Sequence, residues 1–145
     1  KKFNCKKFIY SYKEAELVKI SINLYLYFTV NFSNILNSFS KQIGSNFTNI
    51  IKSLRKDKRI GPYSYINPSP SISGGHLERD AFFLRKFNKN FFSKKILKNL
   101  NDFNNDLKIE LKKNVFKFGN QQNFLISGLT TKLYSKAKVV LIQLY

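Results

Sequence analysis

Asn67-Pro68-Ser69-Pro70-Ser71-Ile72-Ser73-Gly74-Gly75-His76-Leu77-Glu78-Arg79-Asp80 is the stretch around which the rest of the chain is arranged. Its first half is barred from regular structure, because proline has no amide hydrogen to give a helix or a central strand, and the paired glycines loosen the backbone further. From His76 to Phe87 the apolar residues Leu77, Phe83, Leu84 and Phe87 return at helical spacing, so the glycines deliver the chain to a helix N-terminus. Such an end attracts anions and sets side chains at the mouth of a pocket.

Working upstream, Ser11-Tyr12-Lys13-Glu14 supplies a capping box: the Ser11 hydroxyl is free for an early helical amide, and Glu14 reaches back three positions. A helix is predicted from there through Ala15 to about Ile43, with Leu17, Ile20, Leu24, Phe28, Ile35 and Phe39 as a broad apolar stripe and Gly44 as its stop. Within it, Ile20 to Val30 is too interrupted by Ser21, Asn23 and Thr29 to cross a membrane, which takes about 20 consecutive apolar residues. A second helix is expected from Phe47 to about Lys56, capped by Ser45 or Asn46 and broken at Asp57-Lys58-Arg59-Ile60-Gly61-Pro62. Downstream, Ser93 is the expected cap of a long helix ending near Phe118. Its stripe is Ile96, Leu97, Leu100, Phe103, Leu107, Leu111, Val115 and Phe118. Two short strands, 123–127 and 137–144, complete the reading.

The chain has 145 residues, enough for one domain with a sizeable core, and no methionine, so it reads as a piece of a longer protein. Its single cysteine, Cys5, excludes an internal disulfide and a thiolate metal cluster, which fits a reducing, cytoplasmic setting. No other grouping suggests a metal site. A net charge of +18 would ordinarily point to nucleic acid. Against that, only Arg55, Arg59, Arg79 and Arg85 are arginines among 26 basic residues, whereas phosphate recognition leans on the arginine fork. The accompanying excess of Lys, Asn, Ile, Phe and Tyr is the set that AT-rich codons produce, so a nucleic-acid partner is disfavoured.

The organising loop resembles that of the UDP-glucose/GDP-mannose dehydrogenase family, whose pattern runs Asn-Pro-Ser/Gly-x-Gly-x-Gly-Gly-x-Cys-Leu-Pro-Lys-Asp. Without a gap, Asn67, Pro68, Ser69, Gly74, Leu77 and Asp80 match, and Arg79 stands for the lysine. His76 occupies the place of the family's catalytic cysteine, and Ser71 and Ser73 replace two glycines. Ala15-Glu16-Leu17-Val18-Lys19-Ile20-Ser21-Ile22-Asn23 is similar to the Ala-Glu-x-x-Lys-x-x-x-Asn segment opening that family's central helix, and Asn34 falls on a further asparagine common there. Asp57-Lys58-Arg59-Ile60-Gly61 is similar to its Asp-x-Arg-Ile-Gly, and Phe124 to Lys132 to the strand and turn that open its C-terminal domain.

The resemblance implies a mainly α fold: a helical dimerisation domain, similar to the C-terminal domain of 6-phosphogluconate dehydrogenase, with a long linker helix and two short strands from a truncated α/β domain. Residues 1–10 would end a missing dinucleotide-binding domain, 11–92 form the central domain, 93–119 the linker and 120–145 the truncated start of a nucleotide-sugar domain. It implies NAD, bound by a domain not present in this chain, a substrate such as UDP-glucose oxidised at the sugar C6 hydroxyl for polysaccharide biosynthesis, and a homodimer. Lys19 would stabilise oxyanion character, Asn23 position a water, and Asp80 act beside them, with His76 at the cysteine position. Arg59, from the neighbouring subunit, with Tyr65, Asn67, Gly74 and Arg79 would bind substrate. Because a thiolate is needed to hold the aldehyde, His76 implies impairment; read without the resemblance, it is a polar residue at a helix start. No Gly-x-Gly-x-x-Gly follows a strand, so no cofactor-binding residue can be assigned. Two other readings stay open, a catalytically silent paralogue acting as a dimerisation module and a small basic helical binder of nucleic acid.

Overall fold

The computed structural model describes residues 7–73 and 75–119, together with 124–125 and 142–143. The fold is mainly helical. Among the described residues four helices, α1 (Tyr12–Gln42), α2 (Phe47–Leu54), α3 (His76–Phe87) and α4 (Phe91–Gly119), are followed by two-residue strands, β1 (Phe124–Leu125) and β2 (Ile142–Gln143). Two compact units divide at Leu107 and Lys108, inside the helix expected as a linker.

In the first unit, α1 begins at Ser11 as the sequence predicts: the Ser11 amide donates to Glu14 Oε2 at 2.8 Å and the Glu14 amide donates to Ser11 Oγ. It ends where Gly44 takes φ 66, a left-handed conformation that a side chain disfavours. There the Gly44 amide donates to the Lys41 carbonyl and the Ser45 amide to the Ser40 carbonyl, which satisfies two of the last helical carbonyls. Asn46, not Ser45, caps α2 through the Thr48 amide. That helix stops at Leu54, two residues early, because Lys56 and Asp57 donate three residues back in tightening turns.

Of the apolar stripe foreseen on α1 this chain covers only part: Leu24 packs against the core and Ile20 is half-buried. Tyr27, Val30, Asn31 and Asn34 form the buried line, while Leu17, Phe28, Ile35 and Phe39 are exposed. One core cluster joins Tyr27 and Val30 of α1 to Ile72 of the loop, Ala81 of α3 and Leu97 of α4; a second joins Phe47 and Ile51 of α2 to Ile66. On α4 the cap is Asn90, whose Oδ1 accepts from the Ser93 amide and hydroxyl, so Ser93 lies inside the first turn rather than before it. Its buried line is Leu97 and Asn104 with Leu100 half-buried, whereas Ile96 and Leu111 of the foreseen stripe are exposed; Val115 and Phe118 carry no described side chains. No helix among the described residues is long and apolar enough to cross a membrane.

The second unit holds the rest of α4 and an antiparallel pair in which Phe124 faces Gln143 and Leu125 faces Ile142. These fall within the expected strands; the remainder of both, and of the Phe124–Lys132 motif, lies outside the described residues. So do Cys5 and Gly74.

Candidate functional site

Lys19 and Asn23 lie four residues apart on α1 and therefore stand one turn above the other on a single face. That face meets α3, which packs against α1. The chain enters α3 through Gly75 at φ 76, and Asp80 is the fifth residue of the helix, turned inward. Its side chain is 7% exposed. A buried carboxylate without partners would be costly, and this one has three. Asp80 Oδ2 accepts from the Lys19 ammonium and, at 2.6 Å, from the Asn23 amide; Oδ1 accepts from Arg79 Nε at 3.1 Å.

Burial alone pushes the Asp80 carboxyl up, but the hydrogen bonds from Lys19, Asn23 and Arg79 outweigh it and hold the pKa at about 2. Asp80 is thus a carboxylate at any neutral pH, an acceptor and a fixed negative charge rather than a proton donor. Lys19 and Arg79 keep about half of their side chains in solvent. Beside them opens a cavity of about 470 Å³, lined by Tyr12, Ala15, Glu16, Lys19, Ile20, Arg79, Asp80 and Phe83. The lining mixes apolar side chains with two cations and two carboxylates, so the Lys19 ammonium and Arg79 guanidinium are the groups that could favour negative charge on a bound oxygen.

The remaining candidates are dispersed. His76 is the exposed first residue of α3 and stands outside that lining. Arg59 is on the surface, where Asp57 grips it at two points, Nε to Oδ1 at 3.0 Å and Nη2 to Oδ2 at 2.7 Å. This pairing raises the Arg59 pKa and lowers that of Asp57. Asn67 accepts from Arg55 Nη2 at 2.9 Å, and Tyr65 is exposed. Gly74 falls outside the described residues.

Sequence reasoning missed Asn104, which α4 buries completely against the loop, and gave Asn34 no structural task, although its Oδ1 accepts from the Ser69 amide at 2.8 Å. The signal for Asn104 was available: a polar residue in line with Leu97 and Leu100 is buried only if its amide is used.

Among the described residues no cluster of histidine, cysteine or acidic side chains could hold a metal ion. Nor do they fit a dinucleotide. The glycine-preceded start of α3 is entered from an irregular loop instead of a strand, and Glu78 in its first turn sets a negative charge where a pyrophosphate would sit.

A family model described as the UDP-glucose/GDP-mannose dehydrogenase family, central domain, matches residues 13–106. The chain is also similar to a UDP-glucose 6-dehydrogenase of Campylobacter jejuni, 41% identical over 68 residues, which are 47% of this chain and 17% of that protein. To a UDP-glucose 6-dehydrogenase of Rickettsia bellii it is 32% identical over 84 residues, 57% of this chain and 19% of the relative. The matched stretch is thus under a fifth of either relative's length.

Proposed function

Because the chain belongs to the UDP-glucose/GDP-mannose dehydrogenase family and its residues 13–106 match that family's central domain, we propose that it is the substrate-side and dimer-forming part of an NAD-dependent nucleotide-sugar dehydrogenase. The reaction assigned is oxidation of the C6 hydroxyl of UDP-glucose or a similar sugar. The observation that carries this reading is the convergence of Lys19, Asn23 and Arg79 on Asp80 at the edge of an open cavity. NAD in such a protein is held by residues other than these and supplies the hydride acceptor.

In this reading the Lys19 ammonium and the Asn23 amide sit beside the sugar oxygen, where a cation and a preset donor stabilise alkoxide character better than water does. Asp80 holds both in place. Its carboxylate accepts from both, so it orders the site without giving up a proton. Arg79 takes the part of the family's lysine, and Arg59, Tyr65, Asn67 and Gly74 contact the nucleotide sugar, Arg59 across the two-fold axis. His76 limits the chemistry. Going from aldehyde to acid by the family route takes a thiolate that adds to the carbonyl, and an imidazole makes a poor adduct of that kind. Oxidation therefore stops at or before the aldehyde.

The test is stoichiometric. Residues 13–106 are grafted over the matching stretch of the Campylobacter jejuni relative, and NADH is counted per UDP-glucose consumed. One NADH or none is expected, rising to two in the graft with His76→Cys; two from the unaltered graft, with uronic acid as product, would show the reading wrong.

A second reading is favoured by the exposed apolar residues of α1, Val18, Ile22, Tyr25, Phe28, Phe32, Ile35 and Phe39. A chain that had lost the reaction would keep this face as a dimerisation module. In that case the His76→Cys graft stays inactive while the graft still associates.

A further inference from the structure

The loop that carries His76 into α3 has no ladder or helix to satisfy its backbone, yet at Ile72 that backbone is buried in the core. A buried amide and carbonyl both need partners. Asn104 of α4 supplies them. Its Oδ1 accepts from the Ile72 amide at 2.6 Å, its Nδ2 donates to the Ile72 carbonyl at 3.3 Å, and the same Nδ2 donates to Glu78 Oε1 at 2.7 Å. One side chain thus does for Ile72 what a neighbouring strand would do, and spends its second amide hydrogen on the first turn of α3. No other side chain of that length can accept once and donate twice.

We infer that Asn104 is a positioning residue: by holding the loop at Ile72 and α3 at Glu78, four residues before and two after His76, it sets where His76 and the Arg79–Asp80 pair stand. Asn34 assists from α1 by taking the Ser69 amide. The bearing of this clamp on a reaction rests on the reading proposed above, but the clamp is measured without substrate.

Asn104→Asp separates positioning from mere filling of space. The shape is kept, the acceptor is kept, and both donors are lost. At neutral pH the new carboxylate also faces Glu78, so it repels the group that Asn104 holds. The charged group in contact with it is Glu78 of α3; Tyr27 of α1 and Arg85 of α3 line a cavity with Glu78, and Asp102, two residues away on α4, is held by Lys98 at 2.9 Å. The loop itself contributes none between Asn67 and Ser73. Burial and the Glu78 charge both raise the pKa of a carboxyl placed there, so acidification returns it to a neutral acid with a proton to donate. Asp80, with its pKa at about 2, stays ionised throughout.

The experiment is amide hydrogen exchange by NMR on the whole 15N-labelled chain at pH 7 and pH 4.5, corrected for intrinsic rates. In the native sequence the Ile72 amide is expected to be protected at both values. In Asn104→Asp its protection falls at least tenfold at pH 7 and returns at pH 4.5. Leu97→Ala, which only opens a cavity on the same helix face, weakens protection equally at both. If Asn104→Asp does not fold at pH 7, folding regained at pH 4.5 is the same result. The inference is overturned if native Ile72 exchanges as fast as exposed Tyr63, or if the Asn104→Asp effect is independent of pH. A clamp that holds while the graft makes no product even with His76→Cys would sink the enzymatic reading alone.

Discussion

At the scale of single residues, Asp80 is where burial and charge meet. Its pKa is about 2 in the folded chain against about 3.9 for an unfolded aspartate, so the folded state binds the proton less tightly. The sign follows: the contribution is fully present above pH 4 and is lost as pH falls from about 4 towards 2. Because Lys19 and Arg79 are half in solvent, screening holds the contribution to about 1–2 kcal/mol rather than the full shift. Asp80→Asn should therefore lower unfolding free energy by about that amount at pH 7 and flatten the acid limb, checked by urea unfolding at pH 7, 4 and 2.5. A variant as stable as the native chain at pH 7 would contradict it. Lys19, Asn23 and Asp80 could be named from sequence because the motifs that carry them resemble the family's, and the four-residue spacing adds that Lys19 and Asn23 share one helix face. That Asp80 also takes Arg79, and that Arg59 is tied to Asp57, could not, since both depend on how neighbouring side chains turn.

At the scale of elements, what could be read in advance was what is encoded locally. The Ser11–Glu14 box, the Gly44 stop and the start of α3 at His76 are short-range patterns, and each falls where the residues put it. The start of α4 was misplaced because two competent caps, Asn90 and Ser93, lie three residues apart, and the earlier one takes the amide of the later. Which face of α1 is buried was legible only in part. Apolar periodicity marks a face that wants cover, but the loop and α3 cover the line of Tyr27, Val30 and Asn34 instead, where small and amide side chains let backbone approach. Ser11→Ala removes one half of the reciprocal cap and should cost about 1 kcal/mol of helix stability. The measurement is thermal unfolding followed by circular dichroism, with Thr in place of Ser11 expected to recover most of the loss. An unchanged midpoint in the alanine variant would mean that the first turn frays anyway.

At the scale of the whole molecule, the question is what covers the other side of α1. Val18, Ile22, Tyr25, Phe28, Phe32, Ile35 and Phe39 follow one another in steps of three and four, the spacing of a seam between two helices, and all are exposed. So many large apolar side chains in water are far more than the scattered few that a monomer tolerates. A second copy related by a two-fold axis would cover them with the same residues, which is how an isologous interface is made. The chain's charge of +18 works against such pairing at low salt, since two copies repel, and screening shortens that repulsion to about 8 Å at physiological ionic strength. Association should therefore tighten as salt is raised, the reverse of what a charge-driven contact does. Sedimentation equilibrium at 50 mM and 500 mM salt tests both parts. A dimer that strengthens with salt and is lost in Phe32→Glu, with helix content unchanged, is the expected outcome. A monomer at high protein concentration in both salts would mean that this face is covered by something other than its own copy.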